Sequence, residues 1–127
     1  VVGKDDPLAA KEILNVDDLA GRTFMVGGGS PSEMVVVQNR IVDSGQIRIL
    51  NCPDHETAMA NVAARKGLVM SPGFANDHNG EFVWVPFDCP ERIKCVLGYH
   101  RRDERESTRY FIELAQAAYT HADAIPL

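Results

Sequence analysis

The middle of the chain alternates strand-like apolar runs with helix-like apolar stripes, and this alternation restricts the possible folds more than any other feature of the sequence. Strands are predicted over residues 23–26, 46–51 and 68–70, and the two intervals between them carry apolar residues at helical spacing. Glycine, proline and polar breakers separate these elements. A β-α-β-α-β order favours an α/β fold with a mixed, mostly parallel sheet and helices on both of its faces.

Two helices are predicted between these strands. In the first, Ser30 stands at the N-cap position, Pro31 at the first helical position and Glu33 at the capping-box spacing. This helix is predicted to end at residues 44–45, and the second helix is capped by Asp54 and ends at residues 66–67. The inward-facing side chains of the two helices are predicted to be Met34, Val37, Ile41, Met59, Val62 and Ala63.

Further elements are predicted on both sides of this segment. Residues 1–3 form the tail of a strand, and residues 15–20 form a short helical turn. Two more strands are predicted over residues 82–87 and 93–99 from their apolar patterns. A final helix is predicted from Ser107 to about His121, with an apolar face made of Tyr110, Phe111, Leu114, Ala115 and Ala118.

The composition is that of a soluble globular domain. The chain has 127 residues, of which 45% are hydrophobic and 24% charged, so it can bury a single core. Its formal net charge of −5 argues against direct binding to nucleic-acid phosphates. No apolar run approaches the roughly 20 residues of a membrane span, and the first ten residues lack the order of a secretory signal. We expect a cytoplasmic protein without membrane contact.

The three cysteines, Cys52, Cys89 and Cys95, are widely spaced, which fits neither a disulfide framework nor a zinc site. We expect unpaired structural thiols, no metal site and no cofactor. Catalytic signals are weak as well: the loop serines lack a nucleophile elbow, and Asp54 and Glu56 stand where acidic residues usually stabilise a helix N-terminus. The sequence therefore predicts no catalytic residues and no enzyme, with a small α/β enzyme that uses Cys52 or Ser30 as a remaining alternative.

Three loops are expected to meet beyond the carboxyl ends of the parallel strands, where α/β folds bind ligands. They cover residues 27–32, 51–54 and 71–75. Glycines in the first loop allow a bound group to come close, and the first turn of the following helix can donate N–H groups to a carboxylate or sulfate. The alternative is a tight turn in which Ser30 only caps the helix. The residues predicted to bind a small anion are Gly28, Gly29, Ser30, Pro31, Ser32, Asn51 and Ser71.

The order of several short motifs resembles the effector-binding domain of LysR-type transcriptional regulators over nearly the whole chain. The resemblance depends on the order and spacing of the motifs, because each motif alone is degenerate. The first four are D-x-P-L-A at residues 5–9, D-L-A-G at 18–21, D-x-E-T-A-M-A-N-V-A-A at 54–64 and K-G-L-V-M-S-P at 66–72. The last three are FVWVPFDCPE at residues 82–91, GYHRRDE at 98–104 and RYFIEL at 109–114.

This resemblance implies a fold like that of type II periplasmic binding proteins, in which a small-molecule effector binds between two α/β subdomains. Residues 1–127 would form part of such a domain, with about 12–87 as the second subdomain and about 91–123 as the segment that returns to the first. The loop of residues 28–32 would then line the effector site. The implied function is effector binding and oligomerisation, and DNA would be bound only through a helix-turn-helix region that these residues do not contain.

Two further expectations depend on this resemblance. We expect self-association as a dimer or higher oligomer, because the return segment would otherwise expose apolar surface. The alternative function is that of a solute-binding protein of a transporter, which has the same fold. A helix-turn-helix ahead of residue 1 would indicate the regulator, and a signal peptide would indicate the transporter.

Overall fold

The computed structural model describes residues 1–73, 80–94 and 96–119. They form a mixed α/β structure, as the sequence predicts, and it consists of three α-helices and two small sheets, one of which is parallel. The strands are β1 (Val2–Gly3), β2 (Thr23–Gly27), β3 (Arg48–Cys52), β4 (Leu68–Val69) and β5 (Phe82–Val83), and the helices are α1 (Ser32–Asp43), α2 (His55–Ala63) and α3 (Glu106–Tyr119). Two short 3-10 turns cover Pro7–Ala10 and Asp17–Leu19.

The larger sheet is parallel and has the strand order β3-β2-β4, so that β2 lies in its centre. In its register Gly27 lies opposite Cys52, and Phe24 lies opposite Leu68. Parallel neighbours need crossover connections, and α1 and α2 supply the two crossovers. The smaller sheet pairs β1 with β5 in antiparallel orientation.

Successive residues of β2 enter two different cores. Phe24 is 1% exposed and packs with Leu68 and with the inner side of α1, whereas Met25 is 0% exposed and packs with Val69 and the inner side of α2. Because side chains alternate between the faces of a sheet, α1 and α2 lie on opposite faces. The α-helical side chains in these cores are Met34, Val37 and Ile41 of α1 and Ala58, Met59 and Val62 of α2.

The boundaries of α2 follow from its terminal residues. Asp54 Oδ1 accepts a hydrogen bond from Thr57 N at 2.7 Å, so the predicted N-cap is confirmed. The helix ends at Ala63, and Arg65 then adopts a left-handed φ of 58°. Ala63 was predicted to face inward but is exposed. It follows the buried Val62 by one residue, which on a helix is a rotation of about 100° away from the core.

The strand predicted over residues 82–87 is shorter in the structure, because only Phe82–Val83 pairs with β1. Pro86 has no N–H group to donate to a sheet ladder. Its carbonyl oxygen accepts a hydrogen bond from Leu14 N at 2.8 Å, and Phe87 forms an isolated parallel bridge with the same leucine. The chain therefore leaves the small sheet after two residues and continues along the segment that precedes β2.

The prediction of a strand over residues 93–99 is wrong, as far as these residues are described. Ile93 is buried, but Lys94 and residues 96–100 belong to no strand, and the side chain of Val96 is 83% exposed. Cys95 lies outside the described residues. An alternating apolar pattern forms a strand only where a second strand is available for pairing, and residues 96–100 find none in the described part of the chain.

The last helix, α3, begins at Glu106, one residue before the predicted cap Ser107. None of the α3 side chains whose exposure is described is buried. Tyr110, Phe111 and Leu114 are 62%, 59% and 51% exposed, so the predicted apolar face exists but is not covered by the described residues. The predicted continuation of this helix to His121 lies outside the described part of the chain.

Candidate functional site

The candidate site lies at the carboxyl edge of the parallel sheet, between the ends of β2 and β3. These strands are neighbours, with Gly27 opposite Cys52 at their last paired position. The chain leaves β2 towards α1 on one face and leaves β3 towards α2 on the other face. Adjacent strands whose connections diverge in this way create the crevice in which open α/β sheets bind ligands.

The two loops at this edge touch each other, and their glycines make the contact possible. A Cβ added to Gly28 would lie 2.9 Å from the carbonyl oxygen of Pro53, and one added to Gly27 would lie 3.5 Å from backbone atoms of Asp54. The glycine at position 28 therefore has a structural reason that does not involve a ligand, whereas the distance at Gly27 is an ordinary van der Waals contact. Gly29 differs, because its φ is 79° and nothing lies within 4 Å of an added Cβ. The backbone at Gly29 is open to an approaching molecule.

Ser30 does not cap α1, so this part of the capping-box prediction is wrong. The N-cap residue is Pro31, whose ψ of 149° is extended, and the helix starts at Ser32. The Ser30 hydroxyl donates to the Gly27 carbonyl oxygen at 3.3 Å and accepts a hydrogen bond from Gln38 Nε2 at 3.3 Å. Gln38 is only 4% exposed, so these two hydrogen bonds connect the loop to a buried side chain of α1.

The N-terminus of α1 already holds an acidic group from the chain itself. The Glu33 carboxylate accepts its own backbone N–H and, at 2.9 Å, the Ser32 hydroxyl, and these two hydrogen bonds lower the pKa of Glu33. A negative charge at a helix N-terminus is favourable because it interacts with unpaired N–H groups. The position predicted for a bound anion is thus occupied by a carboxylate in this structure.

The two predicted site residues outside this loop occupy different surroundings. Asn51 lies on β3 opposite Val26 and its side chain is exposed at the same edge. Ser71 is 2% exposed, its carbonyl oxygen accepts a hydrogen bond from Trp84 Nε1 at 3.0 Å, and its hydroxyl has no partner among the described residues. It lines a small cavity of about 30 Å³ with mostly apolar walls.

The structure thus places Gly28 to Ser32 and Asn51 at the carboxyl edge of the sheet. The Ser71 side chain is instead buried and lines the small cavity. Neither this small cavity nor the larger cavity described below is lined by residues 28–32. Residues 74 and 75 of the third predicted loop lie outside the described residues. The candidate site is therefore an exposed edge with an open backbone at Gly29 and not an enclosed pocket.

The cysteines have structural surroundings. Cys52 and Cys89 are buried free thiols, and the prediction that they are unpaired is confirmed; Cys95 lies outside the described residues. Burial, followed by the nearby Glu91 carboxylate, raises the pKa of the Cys89 thiol, which disfavours the reactive thiolate. Within residues 1–73, 80–94 and 96–119, no three side chains of the His, Cys, Asp or Glu type form a group that could hold a metal ion.

A second, larger cavity was missed by sequence reasoning. It has a volume of about 630 Å³ and lies at the amino edge of the parallel sheet, opposite the candidate site. Its basic side chains come from positions next to strand ends: Lys4, Arg22, Arg48, Arg65 and Lys66. A sequence signal existed, because a basic residue lies within two residues of the first position of each predicted parallel strand, and the first residues of parallel strands share one edge of the sheet.

None of the helices in the described part of the chain combines the length and apolar character that crossing a membrane requires. Comparison with protein-family models gives no match, and comparison with curated proteins gives none either.

Proposed function

We propose that this chain is the effector-binding part of a LysR-type transcriptional regulator and that residues 28–32 form one wall of its effector site. The observation that carries this proposal is the divergence of the β2–α1 and β3–α2 connections at the carboxyl edge of a parallel sheet. The order of short motifs along the sequence supports the choice of family. In this proposal the protein acts in the cytoplasm and has no catalytic role.

The proposal gives each part of the chain a place in a fold like that of type II periplasmic binding proteins. Residues of about 12–87 would be the second subdomain, and residues of about 91–123 would return to the first. The exposed apolar face of α3 supports this division, because a return helix needs a further surface to cover it. DNA contact would belong to a separate helix-turn-helix region.

The surroundings of Glu33 define how an anionic effector would bind. Its carboxylate holds the Ser32 hydroxyl at 2.9 Å and accepts its own backbone N–H. An effector carboxylate that approaches over Gly29 has to displace the Glu33 side chain, after which the Ser32 hydroxyl and the free N–H groups of α1 can donate to the effector. Binding is therefore an exchange of one carboxylate for another at the same helix N-terminus.

This exchange makes two substitutions act in opposite directions. The chain is titrated with a panel of small carboxylates and their neutral amides. The carboxylate that binds most tightly is then used to compare the affinities of the parent chain and the variants. Ser32→Ala removes one charge-assisted hydrogen bond and should weaken binding about tenfold or more. Glu33→Gln removes the competing charge and should strengthen binding. Ser107→Ala, an exposed serine in the first turn of α3, is the matched control and should leave the affinity unchanged.

Access over Gly29 is tested separately with Gly29→Asn. Asparagine tolerates the left-handed φ of 79°, whereas a β-branched residue would strain the backbone with or without a ligand. The added side chain should block the approach and abolish binding while the melting temperature stays nearly constant. Absence of binding by every carboxylate, or unchanged affinity in both Ser32→Ala and Gly29→Asn, would contradict the proposed site. Loss of effector-dependent transcription by the full regulator that carries either variant is the corresponding functional readout.

A further inference from the structure

An open cavity lies at the amino edge of the parallel sheet, on the side opposite the proposed effector site. Its walls include Thr23 at the start of β2, Arg48 at the start of β3 and Gly67 just before β4. Its floor includes the last residues of α2 and the segment that follows β1. The volume of about 630 Å³ is in the range of small-molecule sites, which is roughly 300–1,000 Å³.

The cavity is basic although the chain as a whole is acidic. Its lining contains five basic residues and three acidic ones, whereas the complete sequence has a formal net charge of −5. A concave surface lined mainly by one sign of charge concentrates counter-ions of the other sign. The charge therefore selects for anions at this edge of the sheet.

Two of the basic residues are already paired and form fixed parts of the wall. Arg22 forms an ion pair with Asp6, and Arg65 forms one with Asp5 at 2.7 Å between Nη2 and Oδ2. Arg48 donates from Nη2 to the Gly21 carbonyl oxygen at 3.1 Å, which orients its guanidinium without neutralising it. These contacts leave the charge of Arg48 uncompensated.

The side chains of the two cavity lysines are unpaired among the described residues. Neither Lys4 nor Lys66 makes a side-chain hydrogen bond or an ion pair there, and Glu81 is the single acidic residue of the lining without an ion pair in the same part of the chain. Lys4 and Glu81 are neighbours, because Lys4 N donates to the Glu81 carbonyl oxygen at 3.0 Å. Three uncompensated cations thus face one uncompensated carboxylate.

We propose that this cavity binds a small, multiply charged anion of the kind carried by phosphorylated or polycarboxylate metabolites. Lys4 and Lys66 supply the charge, and the oriented guanidinium of Arg48 supplies directed N–H donors. Glu81 opposes binding and limits the affinity. The site lies at the other edge of the sheet from residues 28–32, so it does not rest on the proposed effector-binding function.

The competing explanation is that these cations only stabilise the end of α2. Lys66 lies three residues beyond Ala63, near the partial negative charge of the α2 C-terminus, where basic side chains are favourable. That explanation involves Lys66 and Arg65 but gives no role to Lys4 or Arg48. It predicts no saturable binding of any anion, so the two explanations differ in a direct titration.

The experiment titrates the 127-residue chain with inorganic phosphate and, separately, with citrate by isothermal calorimetry at low ionic strength. The double variant Lys4→Gln/Lys66→Gln should raise the Kd at least about tenfold. Glu81→Gln should lower the Kd several-fold, because it removes the one acidic side chain of the lining that has no ion pair among the described residues. Lys94→Gln, which changes an exposed lysine outside the cavity, is the matched control and should leave the Kd unchanged.

The result can support or overturn the proposal without relying on loss of the fold. All substituted side chains are exposed, and circular dichroism verifies that each variant has the secondary structure of the parent chain. Tighter binding of phosphate identifies a phosphorylated ligand, and tighter binding of citrate identifies a polycarboxylate. No saturable binding of either anion, or a Kd that the double variant and Glu81→Gln leave unchanged, overturns the proposal.

Discussion

At the scale of single residues, Gly67 is the described glycine at which an added side chain would meet the closest neighbour. A Cβ added there would lie 2.2 Å from the carbonyl oxygen of Thr23 and 2.9 Å from its Cβ. Thr23 begins the central strand β2, so it cannot move away without disturbing the pairing of β2 with both of its neighbours. Only glycine permits this approach of the two backbones.

We expect Gly67→Ala to destabilise the protein by about 2 kcal/mol or more, because the extra methyl group overpacks a site bounded by backbone atoms. Urea denaturation measures the free energy of unfolding. Gly3→Ala is the matched control: its Cβ would have only one neighbour, the Val62 carbonyl oxygen at 3.9 Å, so the change should stay within about 0.5 kcal/mol. Equal stabilities of the two variants would show that Thr23 and Gly67 are farther apart than described.

The sequence alone could identify the loop after β2 but not the role of each residue in it. The Ser-x-x-Glu pattern predicts a capping box, yet Pro31 remains extended and moves the helix start to Ser32. The Ser30 hydroxyl then bonds to Gln38, eight residues later. Likewise, the contact of Gly28 with Pro53 is set by the register of β2 and β3, and no local pattern encodes a register between distant segments.

At the scale of secondary-structure elements, the N-cap of α2 tests how much a short sequence motif contributes to stability. The Asp54 side chain accepts a hydrogen bond from Thr57 N, and this bond lowers the pKa of Asp54. We expect Asp54→Ala to reduce the melting temperature by about 3–5 °C at neutral pH, because the first turn of α2 loses its cap. Asp54→Asn is the control and should stay close to the parent, since asparagine caps equally well.

The stability difference between the parent chain and Asp54→Ala should depend on pH with a defined sign. A carboxyl group whose pKa is lowered by folding contributes stability that is fully present above the ordinary aspartate pKa of about 3.9. That contribution is lost as the pH falls through the lowered value. The advantage of the parent chain over Asp54→Ala, followed by calorimetry, should therefore shrink below about pH 4. A difference that stays constant down to pH 2 would rule out a charged cap.

Elements with strong local signals were predicted well, and elements that depend on a partner were not. β2, α1 and α2 are confirmed because apolar periodicity and breakers both mark them. The pattern of residues 93–99 is equally apolar, but residues 96–100 have no described strand beside them. Ile49 shows that burial, too, depends on neighbouring elements. Its strand, β3, was predicted correctly, but β3 lies at the sheet edge and Ile49 is 47% exposed.

At the scale of the whole molecule, α3 and the segment before it carry an unusual amount of exposed apolar surface. Val96 and Tyr99 are 83% and 61% exposed, and Tyr110, Phe111 and Leu114 add a second exposed group on α3. None of the described residues beyond Ile93 belongs to either of the two hydrophobic cores. An exposed apolar helix face such as that of α3 usually belongs to an interface.

We expect the chain to associate with itself through α3. The double substitution Phe111→Ser/Leu114→Ser should raise the dissociation constant of the dimer at least about tenfold, because it removes two large side chains from the apolar face. Analytical ultracentrifugation over a concentration series measures this constant. Val36→Ser removes a similarly exposed apolar side chain from α1, at 53% exposure, and should leave it unchanged. A parent chain that stays monomeric at the highest concentration would contradict this expectation.

The central position of β2 also determines how the chain reaches its native state. Phe24 pairs with Ile49 on one side and with Leu68 on the other, and each pairing closes a loop that contains a complete helix. The entropy of closing these loops must be overcome before the sheet contacts form, whereas α1 and α2 need only local contacts. We therefore expect the meeting of the strands to limit the folding rate. During that interval the apolar sides of β2 are uncovered, so a newly synthesised chain is most prone to aggregate before β4 has joined the sheet.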